Sequence, residues 1–171
     1  MLVLMKSNNR VSVQNEPLTS GGEPPPAVAR CSLTGRKKIP ALQDIVSRAS
    51  AMARTDMSMV TILDTETQWF VARVGIEADH TPRNQSFCHY AVLQPGEPMI
   101  VPDARRDPRF SHNPLVLAAP GIRFYAGVPL VDSSGYALGA LCVADSEPRS
   151  EFPQISGLVE LARRAERVIC A

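Results

Sequence analysis

The sequence has no excess charge of either sign. Its 171 residues include 18 Lys and Arg and 17 Asp and Glu, which leaves a formal net charge of +1. Proteins that bind nucleic acid through its phosphate backbone usually carry a clustered excess of basic residues. We therefore expect no nucleic acid among the partners of this chain.

Long apolar runs are absent as well. The N-terminal run MLVLM has five residues and precedes its lysine, whereas a secretory signal places positive charge first and needs about 7–15 apolar residues. No stretch approaches the roughly 20 apolar residues of a membrane-spanning helix. These absences predict a cytoplasmic protein with no membrane partner.

Motifs that bind metals or phosphate groups are missing too. The four cysteines form no Cys-x-x-Cys pair, the three histidines show no His-x-x-x-His spacing, and there is no glycine-rich phosphate loop. We therefore expect no metal site. Because there is no export signal, a disulfide framework is not expected either, and free thiols are the predicted state of Cys31, Cys88, Cys142 and Cys170.

The chain length suits one domain, preceded by a tail. Residues 1–30 contain SNN, SGG and EPPP and little apolar periodicity. Such a composition cannot offset the entropy that is lost on ordering. We expect a disordered tail over residues 1–30 and a single domain over residues 31–171.

Apolar periodicity predicts a helix at each end of this domain and strands between them. The helices run from about residue 40 to 54 and from Phe152–Pro153 to about Ile169. Strand-like runs cover residues 57–63, 68–74, 99–101, 123–131 and 136–144. This order predicts an α+β fold, in which a central antiparallel sheet of five to six strands is flanked by the N- and C-terminal helices.

The segments between the strands are less regular. Residues 77–85 are expected to be irregular, and Ser86 is suited to cap a short helix that runs through Cys88 to about Leu93. Residues 103–121 form a long loop, with a helical turn at residues 114–117. A loop of this length inside a compact domain is usually functional.

The last predicted strand should lie in the centre of the sheet. Its residues alternate between two faces, and both faces are apolar: Ala137, Gly139, Leu141 and Val143 on one, and Tyr136, Leu138, Ala140, Cys142 and Ala144 on the other. A strand that is apolar on both faces is expected to be covered on both.

Three stretches resemble signatures of one large bacterial GAF subfamily. In order, they are QWFVARVG with TPRNQSFCHYAVLQ, then VPDARRDPRFSHNPLV, and then IRFYAGVPLVDSSGYALGALCVADSEPR, over roughly residues 68–149. The resemblance implies a GAF/PAS-like fold and a sensory or regulatory role in bacterial signal transduction. GAF domains bind cyclic nucleotides, bilins, haem or small metabolites, or only mediate dimerisation, so the ligand and any cofactor stay unknown.

The resemblance implies a ligand pocket between the sheet and the segments around Cys88 and residues 103–121. Cys88 is either a small buried residue that lines this pocket or a thiolate favoured near a helix start. If the short helix covers the face that carries Cys142, the two thiols approach each other as a redox pair. A disulfide requires Cα atoms within about 7 Å, a distance that the sequence does not give.

Charged residues near the long loop have two interpretations. Arginine matches the geometry of carboxylate and phosphate groups, so Arg109 and Arg123 are candidates for holding an anionic ligand. Alternatively, Asp103 and Asp107 pair with nearby arginines and clamp the loop against the sheet. With neighbouring aromatic residues included, the candidate ligand-binding set is Phe87, Cys88, Asp103, Arg109, Phe110, Arg123, Tyr125 and Cys142.

Three functions compete. The first is a sensor that binds a small ligand and signals through terminal helices that dimerise. The second is a ligand-free interaction or dimerisation module for a separate kinase or cyclase, which a void below about 300 Å³ would favour. The third is a cysteine-dependent reductase similar to the methionine-sulfoxide reductases of this family.

Two departures from known members weigh on these alternatives. The Cys88-His89 pair precedes VPDARRDPRF, whereas the pair that attaches bilins in phytochrome-type members lies beyond the loop after the middle strand. The reductases cluster their catalytic thiols in and around the long loop, and residues 103–121 contain no cysteine. We therefore expect a homodimeric sensor that is not an enzyme and has a small-molecule ligand and a separate signalling enzyme as partners.

Overall fold

The computed structural model describes residues 39–171, so the tail predicted for residues 1–30 lies outside the described residues. The helices are α1 (Pro40–Ala53), α2 (Phe87–Ala91), α3 (Pro114–Leu117) and α4 (Ile155–Ile169). The strands are β1 (Met57–Leu63), β2 (Thr67–Val74), β3 (His80–Pro82), β4 (Met99–Val101), β5 (Phe124–Val131) and β6 (Ala137–Asp145), and a 3-10 turn covers Arg83–Gln85. None of the helices in this range is long and apolar enough to cross a bilayer.

The strands form one antiparallel sheet in the order β3-β2-β1-β6-β5-β4. The predicted α+β fold with terminal helices is therefore confirmed, with six strands. β6 lies between β1 and β5, which confirms the prediction of a central strand. All eight residues from Leu138 to Asp145 are buried, and six of them are less than 2% exposed, as a strand covered on both faces requires.

Helices α1 and α4 cover one face of the sheet. Pro40 stands in the first turn of α1, where its missing N–H costs no helical hydrogen bond. The helix ends at Arg54, which takes the left-handed conformation with φ 53° and donates its N–H to the carbonyl of Ser50. The apolar sides of both helices pack on aliphatic strand residues such as Val60 and Leu141, and we call this cluster the helix-side core.

The opposite face of the sheet is covered without long helices. Residues 86–122, which we call the cover, contain α2, β4 and α3, and β4 joins the sheet at its edge beside β5. The buried side chains of the cover pack against strand residues of a second apolar cluster that includes Phe70, Tyr125 and Cys142. The sheet therefore separates two cores of different construction.

Local differences from the sequence prediction have physical causes. The expected irregular segment contains β3, a three-residue edge strand that β2 orders by pairing. Leu138 lies in the helix-side core, not on the face that alternation predicts, because the pairing with β5 shifts between Leu130 and Val131. Helix α4 begins at Ile155 and not at Phe152–Pro153, and α2 ends at Ala91 before reaching Leu93.

Candidate functional site

A small cavity lies between the sheet and the cover. Its volume is about 30 Å³, enough for about two water molecules, whereas small-molecule sites usually measure about 300–1,000 Å³. Its walls are apolar and rich in sulfur and aromatic groups, which come from Met57, Met59, Phe70, Phe87, Cys88, Tyr125 and Cys142. We call this cavity and its lining the thiol compartment.

The floor of the thiol compartment is formed by the central strands. Cys142 on β6 is paired with Met59 on β1 and with Gly127 on β5. Side chains of directly opposite residues in antiparallel strands share one face, with Cβ atoms about 4.5–5.5 Å apart. Cys142 therefore has a thioether on one side and a position without a side chain on the other.

Helix α2 supplies the second thiol from the cover. The Ser86 hydroxyl accepts a hydrogen bond from the N–H of His89 at 3.1 Å, which makes Ser86 the predicted N-cap. This orientation of α2 places the Cys88 Sγ 3.7 Å from the Cys142 Sγ. Both residues are buried, with exposed fractions of 2% and 0%, so the structure brings together the two thiols whose separation the sequence left open.

The Tyr125 hydroxyl lies beside this pair and donates a hydrogen bond to the Cys88 Sγ at 3.2 Å. Tyr125 and Gly127 are two residues apart on β5, so they share a face of the sheet. A methyl group at Gly127 would lie 2.2 Å from the Tyr125 hydroxyl oxygen. The absence of a side chain at Gly127 therefore gives Tyr125 the space from which it reaches Cys88.

The two thiols differ in how readily they ionise. The hydrogen bond with the Cys142 thiol, helped by the hydroxyls of Thr61, Tyr125 and Ser86, lowers the pKa of Cys88 against the opposing effect of burial. The same contact and burial raise the pKa of Cys142 well above its usual range. Burial also raises the pKa of Tyr125, which keeps its proton and remains a donor. Cys88 is therefore the thiol that ionises first.

A hydrogen-bonded polar group closes one corner of the compartment. The Gln68 Nε2 donates to the Thr81 Oγ1 at 3.0 Å, and the Ser86 hydroxyl donates to the Gln68 Oε1. Within residues 39–171, no buried side-chain nitrogen or oxygen lacks a hydrogen-bond partner. A polar ligand would therefore have to replace existing hydrogen bonds of these residues.

Stacked aromatic rings hold the two halves of the cover together. Phe87 of α2 stacks on Phe110 of the long loop, with ring centroids 4.0 Å apart, and Tyr90 meets Phe110 edge-on at 5.1 Å. The Arg109 guanidinium lies 5.0 Å from the centre of the Phe110 ring and binds Asp107 at 2.6 Å. These contacts join α2 to the long loop behind the ring of Phe87.

Five of the predicted site residues lie in or next to the compartment. Four of them line it: Phe87, Cys88, Tyr125 and Cys142. Phe110 does not line the cavity but packs behind Phe87 in the same apolar cluster.

The three charged site residues are not among those that line the cavity. Asp103 binds Arg105 at 2.7 Å, and this guanidinium holds the pKa of Asp103 at about 2. Arg109 binds Asp107, and the Arg123 Nη1 donates to the carbonyl of Val116 at 2.8 Å. The two aspartates thus pair with nearby arginines, but each pair joins residues two apart within the loop and none of these ion pairs reaches the sheet.

Sequence reasoning missed the two methionines and the polar corner. Alternation in MSMVTIL places Met57 and Met59 on one face, and this signal was readable. Only the strand order, however, shows that this face is the one beneath Cys88. Gln68 and Thr81 are opposite each other in the pairing of β2 with β3. No periodic pattern in the sequence predicts β3.

Comparisons with known proteins agree with this architecture. A protein of Pseudomonas aeruginosa named cyclic di-GMP phosphodiesterase PA2567 is 47% identical over 112 residues, which are 66% of this chain and 19% of that protein. The chain thus spans about a fifth of the curated relative that it matches.

Several solved structures share the fold at low sequence identity. The GAF domain of an Acinetobacter phosphoenolpyruvate-protein phosphotransferase superposes with a TM-score of 0.61 at 17% identity, over 84% of this chain and 90% of that one. The PixJ GAF domain of Thermosynechococcus elongatus gives 0.62 at 19% identity, over 76% and 83%. Free methionine-R-sulfoxide reductase of Neisseria meningitidis gives 0.60 at 15% identity, over 84% and 86%. At these identities the likeness concerns the fold alone.

The family model for the GAF domain matches residues 39–169. This range is well over half of the chain and contains every helix and strand described above. The chain belongs to the GAF domain family.

Proposed function

We propose that the chain is a regulatory domain of bacterial signal transduction that controls an enzyme of cyclic di-GMP turnover. The observation that carries the proposal is the 47% identity with part of a cyclic di-GMP phosphodiesterase, in a match that takes up 19% of that protein. A segment of this size and family accompanies the rest of such an enzyme. The role proposed for this chain is therefore control and not hydrolysis, and the controlled enzyme lies on the same chain or on a separate one.

The thiol compartment restricts the kind of signal that the domain receives. Its volume of about 30 Å³ is roughly a tenth of a typical small-molecule site. This closed state supports a domain that works without an organic ligand, since a nucleotide-sized molecule would enter only after the cover moved away. The alternative function is a ligand sensor whose cover opens and which retains a nucleotide-sized molecule in the compartment.

The central strand links the compartment to the opposite face of the sheet. Cys142 points into the thiol compartment, while its neighbours Leu141 and Val143 belong to the helix-side core. A shift of the strands beneath the compartment would therefore also displace α1 and α4, because close-packed interiors transmit small displacements. In the proposal this helical layer is the output side.

Pairing of two copies through α1 and α4 would be polar. The large apolar side chains exposed in residues 39–171 are Leu93, Ile100, Leu117 and Tyr136, and these positions lie outside both helices. The outward positions of the helices include Asp44, Arg48, Glu160 and Arg164. Light scattering at micromolar concentration tests whether two copies pair. A strict monomer would contradict dimerisation through α1 and α4.

Replacement of the matching segment in the Pseudomonas aeruginosa phosphodiesterase tests the regulatory role. We expect that the enzyme carrying residues 39–169 of this chain hydrolyses cyclic di-GMP at the rate of the intact enzyme, and that deletion of the segment changes this rate. A chimera that behaves like the deletion would contradict the proposal. Equal rates for the intact enzyme and the deletion would contradict it as well, since the segment would then control nothing.

Native mass spectrometry of the protein purified from its own host tests the closed compartment. We expect the native mass to equal the mass measured after denaturation, corrected for the number of chains. An organic adduct that survives purification and is lost on denaturation would instead establish ligand sensing, with a cover that opens.

A further inference from the structure

We propose that Cys88 and Cys142 form a peroxide-reactive thiol pair, which small hydroperoxides oxidise to a disulfide across the thiol compartment. This reaction would be the signal that the domain receives, and that final step rests on the proposed regulatory function. The thiol chemistry itself is argued from the geometry of this chain alone.

The geometry of the pair is close to that needed for bond formation. The two Sγ atoms are 3.7 Å apart, and a disulfide bond measures about 2.05 Å. Cys142 is fixed in the central strand between β1 and β5, whereas Cys88 lies on the five-residue helix α2 of the cover. Closure therefore requires a shift of about 1.7 Å, most of which α2 would supply.

The surroundings give the two thiols different roles. The Tyr125 hydroxyl donates to the Cys88 Sγ, and a donor aimed at sulfur favours its anionic form. The pKa of Cys88 is lowered and that of Cys142 is raised. Since the thiolate is the nucleophile, Cys88 attacks the peroxide and Cys142 resolves the product.

The reaction balances with hydrogen peroxide as the oxidant. The Cys88 sulfur attacks one peroxide oxygen, the O–O bond breaks, and the leaving oxygen takes the Cys88 proton and departs as water. Cys88 is then a sulfenic acid. The Cys142 sulfur attacks the Cys88 sulfur, the S–O bond breaks, and the hydroxyl leaves with the Cys142 proton as a second water. Two thiols lose two electrons in total, and one peroxide is reduced.

The compartment selects the oxidant by size. A volume of about 30 Å³ admits about two water-sized groups, which suits the two oxygen atoms of hydrogen peroxide. The thiols are 2% and 0% exposed, so a bulky disulfide such as oxidised glutathione cannot align with either sulfur. Oxidation by peroxide and not by glutathione disulfide is the signature of this site.

Formation of the bond would also reshape the cover. Movement of Cys88 towards the floor carries Phe87 with it, because the two residues are adjacent on α2. Phe87 stacks on Phe110 of the long loop, so the stack must slide or separate. The oxidised state would therefore differ from the reduced state on the outer surface of the domain, where a partner can read it.

The first test treats the full chain with one equivalent of hydrogen peroxide and then blocks the remaining thiols under denaturing conditions. We expect a loss of two thiols and a peptide in which Cys88 and Cys142 are cross-linked. The same amount of oxidised glutathione should react at least tenfold more slowly. Cross-linking at another cysteine, with Cys88 and Cys142 still open to the blocking reagent, would overturn the proposal. Equal rates with the two oxidants would overturn it too.

Variants assign the two roles. Cys142→Ser should stop at a sulfenic acid on Cys88, which dimedone traps when the oxidised chain is denatured in its presence, and Cys88→Ser should slow the oxidation of Cys142 at least tenfold. Tyr125→Phe should slow the reaction of Cys88 about tenfold at neutral pH and move its pH profile towards higher pH. Cys170→Ser is the matched control and should react like the natural chain. Wild-type rates in the Tyr125→Phe protein would show that the hydroxyl only fills space.

Peroxide treatment of the phosphodiesterase chimera separates the chemistry from the regulation. We expect the hydrolysis rate to change when the disulfide forms and to return when dithiothreitol reduces it. If the disulfide forms in the chain but the rate does not respond, the signal assignment is wrong, while the reactive pair stands. If the rate responds but the Cys88→Ser chimera responds equally, the pair is not the sensor, while the regulatory function stands.

Discussion

The two faces of the sheet are covered by different kinds of side chain. The helix-side core contains mainly aliphatic side chains that α1 and α4 press onto the strands. The opposite face carries aromatic rings, methionines and the two buried thiols beneath a cover with only short helices. Long amphipathic helices fill space evenly, whereas a cover of loops and short turns leaves a cavity of about 30 Å³.

This difference separates stability from chemistry. Aliphatic packing contributes most where shapes interlock at high density, and it contains no group that reacts. Thioethers and thiols are adaptable and polarisable, and they lie where the cover can shift by an ångström or two. We expect substitutions on the helix side to change mainly the free energy of unfolding, and those on the cover side to change mainly the reactions of the compartment.

Two buried phenylalanines provide the strongest test of this contrast. Phe124→Ala on the helix side should cost about 4–5 kcal/mol, and Phe87→Ala on the cover side about 3 kcal/mol. The second cost is smaller because the cover is able to settle into the space that the ring leaves. Chemical denaturation monitored by circular dichroism measures both values.

A second readout distinguishes the two phenylalanine variants. The Phe87→Ala compartment should bind xenon or benzene, since an enlarged apolar cavity stays dry and accepts apolar molecules. Equal costs for both variants, with no xenon binding in either, would show that the cover is packed as firmly as the helices.

The comparison also shows how far the sequence predicted the molecule. Strands such as Met57–Leu63 and the cap at Ser86 were predicted correctly, because periodicity and capping are local properties. Position Leu138 was assigned to the wrong face because a shift in pairing is set by the partner strand. Local pattern therefore defines the elements, and neighbouring strands decide which way some side chains point.

The residues of the site show the same difference between what local pattern predicts and what neighbouring strands determine. Cys88 and Tyr125 were recognised as candidates by residue type and by their place in the motifs. Their mutual contact, the part of Gly127 in it, and the thioether of Met59 depend on strand order and register. The charged candidates Asp103 and Arg123 bind partners within the loop region. The sequence could not predict this, because an arginine that binds a nearby carboxylate or carbonyl has the same sequence pattern as one that binds a ligand.

Adjacent residues of β6 give a finer comparison on one strand. Leu141 and Cys142 are both 0% exposed but face opposite sides of the sheet. Leu141→Ala should cost about 3 kcal/mol, and Cys142→Ala about 1 kcal/mol, the transfer free energy of one methyl-sized group. Urea titrations of the two variants in a reducing buffer measure the difference. A larger cost for Cys142→Ala would mean that the compartment is a structural core after all.

The smallest effect concerns the pH dependence of the cover. Burial and the nearby Arg83 guanidinium lower the pKa of His89 below its usual 6.5, and the Arg83 Nε donates to the His89 Nδ1 at 3.1 Å. A protonated imidazole cannot accept this bond, so the folded state binds the proton less readily than the unfolded chain does. Its contribution to stability is complete above pH 6.5 and is lost as the pH falls below that value.

His89→Gln should therefore flatten the pH dependence of stability. Between pH 7.5 and pH 5.5, the natural chain should lose more of its free energy of unfolding than this variant, in urea titrations at matched ionic strength. His112→Gln, at an exposed loop position, is the control and should keep the natural pH dependence.

Because His89 follows Cys88 on α2, loss of its bond to Arg83 should loosen the helix that carries the reactive thiol. A His89→Leu protein has no acceptor for the Arg83 Nε. Faster peroxide oxidation of this protein than of the control at pH 7.5 would tie the mobility of the cover to the reaction of the thiols beneath it, and equal rates would show that the Arg83–His89 bond affects stability alone.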